Sequence, residues 1–155
     1  MITIDAFRPE HARAFDALNR AWLVENELLE PADEPALIDP QGEIIDPGGQ
    51  IFVALDGVVV IGTAAIAPYG EGMFELVKLT VAAACRGQGL GRRLIDTCLA
   101  EASRRGAARV VLVSASRLQS AVRLYERVGF VHRPLPPTVP YATADVYMEL
   151  ELSPV

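Results

Sequence analysis

Strand-like and helix-like segments follow one another along this 155-residue chain in an order that predicts an α/β protein of the α+β type, built as one domain over residues 1–155. Three observations carry that expectation. Apolar residues make up 51% of the chain and charged residues 22%, which is enough apolar material for one core at this length. Three strand-like segments follow one another between Ile51 and Val81, and Asp56-Gly57, a strong short-hairpin signal, joins the first two in an antiparallel meander. Beyond Val81 the pattern changes to a glycine-rich turn and then to helical spacing, so a helix leaves the last strand of the meander.

The elements follow in order. Residues 2–5 alternate as a strand does. Pro9 suits a first helical turn, and Phe15, Leu18 and Trp22 recur at helical spacing, giving an amphipathic helix to about Glu27 with Phe15 and Trp22 in the core. Residues 30–49 carry Pro31, Pro35, Pro40 and Pro47 with acids between them. This segment reads as a functional flap with a short helix or strand near residues 36–38 or 44–45. The meander strands are residues 51–55, 58–66 and 73–81, with a second turn at residues 68–72. Leu90, Leu94, Cys98 and Ala102 form the buried stripe of a helix that stops at Arg104-Arg105-Gly106. Residues 109–114 form a short apolar strand, residues 119–128 a second helix closed by Gly129, and residues 130–132 resume a strand. A proline-rich link, residues 134–140, leads to residues 143–152, whose alternation predicts a half-exposed last strand.

Charge is divided unevenly. The formal net charge is -6, yet residues 1–77 carry 14 acids against three arginines, while residues 78–155 carry 11 bases against six acids. One anionic and one cationic surface follow, with solvated faces that keep the chain soluble as the competing reading. An acidic total and sparse aromatic interleaving in the basic half argue against nucleic acid. No apolar run approaches the roughly 18 residues of a membrane span, and residues 1–5 lack a basic region and a long hydrophobic region. The expectation is a soluble, cytoplasmic protein with no membrane partner. Cys85 and Cys98 have neither redox nor zinc-site spacing, and His11 and His132 stand alone, so no disulfide and no metal are expected and both histidines read as structural.

Chemistry concentrates in the turn Val81-Ala-Ala-Ala-Cys85-Arg86-Gly87-Gln88-Gly89-Leu90-Gly91-Arg92-Arg93. Glycines let backbone N–H groups approach an anion, the helix N-terminus adds partial positive charge, and three arginines surround the cradle, which suits a diphosphate. A dinucleotide fingerprint fails because Arg92 stands three residues after Gly89 and no ribose-binding acid follows the next strand. A P-loop fails because the chain's only lysine, Lys78, precedes the turn. A tight strand-to-helix turn with helix-face arginines remains the structural alternative.

Arg86-Gly87-Gln88-Gly89-Leu90-Gly91 matches the (Arg/Gln)-x-x-Gly-x-(Gly/Ala) acetyl-CoA signature, and Leu124-Tyr125-Glu126-Arg127-Val128-Gly129-Phe130 matches an L-Y-x-x-x-G-F segment. On these motifs the chain resembles the GNAT superfamily of N-acetyltransferases, most strongly over residues 75–133, whereas residues 20–50 match no specific motif. The resemblance implies a GNAT-like mixed, mostly antiparallel central sheet, with helices on both faces, splayed between the strand ending at Val81 and the strand starting near Arg109. It implies acetyl-CoA as co-substrate in that splay, held by Arg86, Gly87, Gln88, Gly89, Leu90, Gly91 and Arg92, with the pantetheine arm along Leu79 to Val81. Where many relatives carry asparagine after the strand preceding the second helix, this chain has Ser114-Ala115-Ser116. Ser116 is the expected substitute, with capping of the second helix as its other role.

Amine acetylation needs a free amine, although an alkyl ammonium of pKa ~10 is mostly protonated at neutral pH. Strict alternation puts Glu75 on one face with Val77, Leu79 and Val81, so burial raises its pKa and suits it to be the base; a solvated edge residue is the competing reading. Glu71 and Tyr69 are further candidate acceptor contacts. The resemblance gives the oxyanion a backbone N–H, that of Val81, and makes Tyr125 the acid for the departing thiolate. Tyr125 also belongs to the helical stripe of Leu118, Ala121 and Val128, so packing alone is its alternative. Tyr141 and Tyr147 lie where relatives close the acceptor site or pair subunits. The expected reaction is direct acetyl transfer to a primary amine of a cationic small molecule or a protein in a ternary complex, and the alternative is a non-catalytic acyl-CoA-binding or sensing module. A homodimer paired through the last strand stays open.

Overall fold

The turn at Asp56-Gly57 joins β2 (Gln50–Asp56) to β3 (Val59–Pro68), which pair antiparallel with Asp56 opposite Val59. The computed structural model describes residues 1–152. β1 (Ile2–Ala6) lies on the outer side of β2, and β4 (Met73–Val81) returns antiparallel beside β3, completing the meander. β5 (Arg109–Ser114) then runs parallel to β4, β7 (Val146–Glu151) antiparallel to β5, and β6 (Val131–Arg133) outside β7. The result is a seven-stranded sheet in the order β1-β2-β3-β4-β5-β7-β6. Its single parallel pair is short. β4 meets β5 only at Met73 opposite Arg109, Phe74 opposite Val110 and Glu75 opposite Val111, so the rest of β4 diverges from its neighbour.

Helices cover both faces. On one, α3 (Leu90–Arg104) buries Leu90, Leu94, Cys98 and Ala102, the expected stripe, and α4 (Gln119–Val128) adds Leu124 and Val128. On the other, α1 (Ala12–Glu25) packs Phe15 against Ile51, Val53 and Ala65, joined by Ala36 of the short α2 (Glu34–Ile38). α1 follows one 3-10 turn at Pro9–His11, where the His11 ring Nδ1 accepts the Arg8 N–H at 3.0 Å. The proline-punctuated segment folds into a 3-10 turn at Pro31–Asp33, then α2, then one π-type turn at Gln41–Ile45 that buries Ile44. Cys85 and Cys98 are both free thiols, and burial pushes the Cys98 thiol up to about 12. Among the described residues no helix is long and apolar enough to cross a membrane.

The last strand departs from its expected exposure. Val146, Tyr147 and Met148 are buried, and β7 is hydrogen-bonded on both sides, by β5 and by β6. Alternation reports which faces a strand shows and says nothing of its edges. β6 covers Tyr147–Glu149 on the side of β7 away from β5, and the outer strands of the described sheet are β1 and β6. The polar positions of β7 hold internal ion pairs, Arg109 reaching Glu151 at 2.6 Å and Glu149 at 3.7 Å.

Candidate active site

The splay of the sheet starts from a bulge. Thr63 pairs with Thr80 and Ala65 with Val77, so Lys78 and Leu79 together oppose Ala64, and Lys78 adopts φ +55°. A buried polar chain holds this distortion. The Asn19 amide donates to the Phe15 carbonyl at 2.9 Å and to Thr63 Oγ1 at 3.0 Å, and the Thr63 hydroxyl donates to the Lys78 carbonyl at 2.7 Å. The bulge also corrects the strict alternation read along this strand. Val77 packs on the α1 side, but Leu79 and Val81 join Phe74 and Leu76 in the core under α3, so they do not share the face of Glu75. Thr63→Val keeps the shape and removes the hydroxyl, so the Lys78 carbonyl loses this donor and the Asn19 amide keeps only its bond to the Phe15 carbonyl. It is expected to cost about 1–3 kcal/mol in urea unfolding.

Beyond the last β4–β5 pair the two faces communicate through a cavity of about 160 Å³. Glu75 enters it from β4, Tyr125 from α4, Trp22 from α1 and Tyr141 from the link before β7. Burial raises the Glu75 carboxyl above the usual range, with the Lys78 ammonium acting in the opposite direction. Burial also pushes the Tyr125 phenol up to about 12. Its ring stands edge-on to Phe130 at 6.1 Å, and its hydroxyl has no hydrogen-bond partner among the described residues. Tyr141 is pushed to about 12 by burial first, then by Asp33, Glu75 and Glu30. Trp22 lines the cavity instead of lying in the core, whereas Phe15, two stripe positions earlier, is fully buried. The turn residues Tyr69 and Glu71 do not line the cavity, and the buried Tyr147 donates its hydroxyl to Glu149 at 3.0 Å.

At the glycine turn, Gly87 and Gly89 sit at φ +79° and +80°, and a Cβ on either would meet no atom within 4 Å. Backbone conformation therefore selects glycine here, and space does not. Gly89 is the N-cap of α3, its carbonyl accepting the Arg93 N–H at 3.2 Å, with no side chain capping the helix. No acceptor among the described residues takes the N–H groups of Gln88, Gly89, Leu90, Gly91 or Arg92. Five main-chain donors at a helix start fit a polyanion such as the pyrophosphate of CoA. The arginines are less free than the sequence suggests. Arg86 donates to the Val81 carbonyl at 3.2 Å and lies 3.5 Å from Glu25, and Arg92 donates to Asp96 at 3.1 Å. Ala82 donates its N–H to Ile61 of β3 at 2.8 Å, so strand alternation turns the Val81 N–H the other way, toward the gap.

Ser116 differs from both of its expected roles. Its N–H and hydroxyl donate to Asp145 at 2.7 and 2.6 Å, so no hydroxyl proton is left for a ligand. Nor does it cap α4, whose N-cap is Leu118 with no side-chain cap. Other groups of the site carried little signal in the sequence: the Asn19–Thr63 chain, the buried ion pair of Lys78 with Asp33 at 3.4 Å, and the Glu30 carboxylate that holds the chain at Thr143. A single lysine among apolar strand residues was the one clue. Among the described residues no three His, Cys, Asp or Glu side chains gather as a metal site.

The model of the Acetyltransferase (GNAT) family matches residues 11–130. N-acetyltransferase 8 of Rattus norvegicus is 36% identical over 90 residues, which cover 55% of this chain and 40% of the rat protein. The match thus spans about two-fifths of that relative's length. An uncharacterized N-acetyltransferase of Schizosaccharomyces pombe is 32% identical over 125 residues, covering 76% of this chain and 72% of the yeast protein. Among solved structures, a GNAT-family acetyltransferase of Staphylococcus aureus Mu50 superposes at TM-score 0.88 with 19% identity, covering 99% of this chain and 100% of that one. The PaiA N-acetyltransferase of Thermoplasma acidophilum, in complex with coenzyme A, superposes at TM-score 0.76 with 13% identity, covering 98% and 99%. At these identities the structural likeness is one of fold. The family match itself begins just before α1 and ends at Phe130, taking in the bulged strand, the glycine turn and the Tyr125 segment, and this chain belongs to the GNAT acetyltransferase family.

Proposed function

We propose that this chain is an acetyl-CoA-dependent N-acetyltransferase that acts on a primary amine, with residues 1–155 forming one catalytic domain. The observation that supports this most is the passage through the sheet. Glu75 comes from the α1 face and Tyr125 from α4 on the opposite face, and because β4 and β5 part company beyond Glu75 and Val111 the two side chains border one cavity. An acid and a base on opposite walls suit a transfer in which one proton leaves the nucleophile and another reaches the leaving group.

Acetyl-CoA supplies an acetyl thioester, and in the net reaction an N–C bond replaces the C–S bond while the amine's surplus proton is released. The amides of residues 88–92 hold the pyrophosphate and Arg92 adds charge, while Leu79 and Val81 border the pantetheine path. Arg86 acts as a brace that ties the turn to the end of β4. Glu75, directly or through water, accepts the proton that the ammonium must lose. A raised carboxyl pKa makes it a better acceptor than an exposed glutamate. The Val81 N–H faces the gap, where it can bond the carbonyl oxygen as negative charge grows there. Tyr125 keeps its proton at any working pH and lends it to the departing sulfur. Two free cysteines fit a reducing compartment, and we place the chain in the cytoplasm.

Thermal unfolding with acetyl-CoA combined with thiol release across an amine panel tests the proposal. At 100 times its dissociation constant, acetyl-CoA is expected to stabilise the fold by about 2.7 kcal/mol, and at least one amine is expected to release free thiol. Stabilisation without thiol release identifies a binding or sensing module, and no stabilisation removes the cofactor assignment.

A further inference from the structure

We propose that the acceptor is a small amine with a single positive charge and an apolar body, taken up whole under a hydrogen-bonded strap; this rests on the transferase reading above and narrows its substrate. The strap crosses the acceptor side of the cavity. Lys78 Nζ on β4 donates to Asp33 Oδ1 at 3.4 Å, and Asp33 Oδ2 accepts the Glu30 N–H at 2.8 Å. Glu30 in turn accepts the Ala142 N–H at 2.9 Å, the Thr143 N–H at 3.1 Å and the Thr143 hydroxyl at 2.6 Å. Two long connections, one after α1 and one before β7, are thereby sewn together beside Tyr141.

Charge then narrows the acceptor. The acidic segment suggests from sequence an open anionic face for a polycation, but of the eight acids in residues 25–46 three face an arginine or lysine of the protein and three more accept neutral hydrogen bonds. Glu34 is bound by Arg20 at 2.6 and 2.9 Å, and Glu25 faces Arg86. Of the two carboxyls that reach the cavity, Asp33 is balanced by Lys78, which leaves Glu75 for one amine. Trp22, Leu23, Leu28 and Tyr141, beside the polar Asn19 and Thr143, give that side an apolar lining that suits an aryl or alkyl body. A volume of about 160 Å³ is close to that of an engineered cavity that takes up benzene, and here the thioester end must fit as well. That leaves room for no more than one small apolar group inside the cavity, whereas an aminoglycoside or a polypeptide segment does not fit beneath the strap.

Thiol release should be compared for 2-phenylethylamine, n-hexylamine, spermidine, kanamycin and a lysine-containing peptide. The two apolar monoamines are expected to exceed the other three in kcat/KM by at least about tenfold. Trp22→Ala is expected to remove most of that preference while thermal stabilisation by acetyl-CoA persists. Should Trp22→Ala not fold, Glu30→Gln serves in its place, loosening the strap so that peptide turnover rises relative to 2-phenylethylamine. Turnover of spermidine, kanamycin or the peptide on a par with 2-phenylethylamine overturns this inference and leaves the transferase standing, as does a preference unmoved by whichever variant folds. Stabilisation by acetyl-CoA with none of the five amines turned over overturns both.

Discussion

Tyr125→Phe is expected to lower kcat by about 10²-fold while leaving the dissociation constant of acetyl-CoA nearly unchanged. The phenyl ring keeps its edge-on contact with Phe130. No hydrogen bond within the described residues is lost with the hydroxyl, so no buried group is orphaned. What disappears is a proton donor facing the cavity. Burial pushes the phenol up to about 12, above a thiol near ~8.5, so transfer to the sulfur is uphill until negative charge has built up there. That mismatch places the expected effect at the low end of general-acid contributions, which run from about 10² to 10⁴. Steady-state thiol release and acetyl-CoA titration check both halves, and an unchanged kcat removes Tyr125 from the chemistry.

Glu75→Gln is expected to move turnover and stability in opposite directions. Removing the base lowers kcat/KM by about 10²-fold. In the parent enzyme kcat/KM rises with pH through the Glu75 pKa, and this limb lies above the ordinary carboxylate range because burial raises it. The same burial sets the sign for folding. A carboxyl whose folded-state pKa exceeds its unfolded value makes its full contribution to the folded state below the unfolded value, and that contribution is lost as pH rises through the folded pKa. Above its folded-state pKa the ionised, largely buried Glu75 is therefore a cost, and the uncharged amide of Gln relieves it. The variant is expected to melt higher than the parent above the Glu75 pKa and to lose this lead as the pH falls below it. Paired melting curves and rate profiles across about pH 5 to pH 9 test it, and a variant less stable than the parent at the alkaline end contradicts the assignment.

The order of strands and helices was readable because each rests on local chemistry: Asp56-Gly57 for the hairpin, the Leu90 to Ala102 stripe for α3, and Gly129 for the end of α4. The site was readable where a motif spells out a backbone need, as Gly87 and Gly89 do at left-handed φ. It was not readable where partners are remote in sequence. Nothing near Thr63 announces Asn19, 44 residues away, and nothing near Glu30 announces Thr143, 113 residues away. The bulge at Lys78 shows the cost of that blindness. Period-two alternation assumes an unbroken ladder, and one left-handed residue reverses every side chain beyond it, sending Leu79 and Val81 to the opposite face from Glu75. Trp22 went astray for a related reason, since helical spacing marks the inward side of α1 but not where the core stops and the cavity begins.

The brevity of the β4–β5 contact has a mechanical side. Everything before Val81 in the sheet is one antiparallel leaf and everything after Arg109 another, and the ladder between them is three residue pairs long, all at the same end. Such a spine lets the leaves flex about residues 73–75 and 109–111 as covers flex about a binding. A molecule lodged between the covers and touching both then acts as a second hinge pin, stiffening the whole sheet with no new strand pairing.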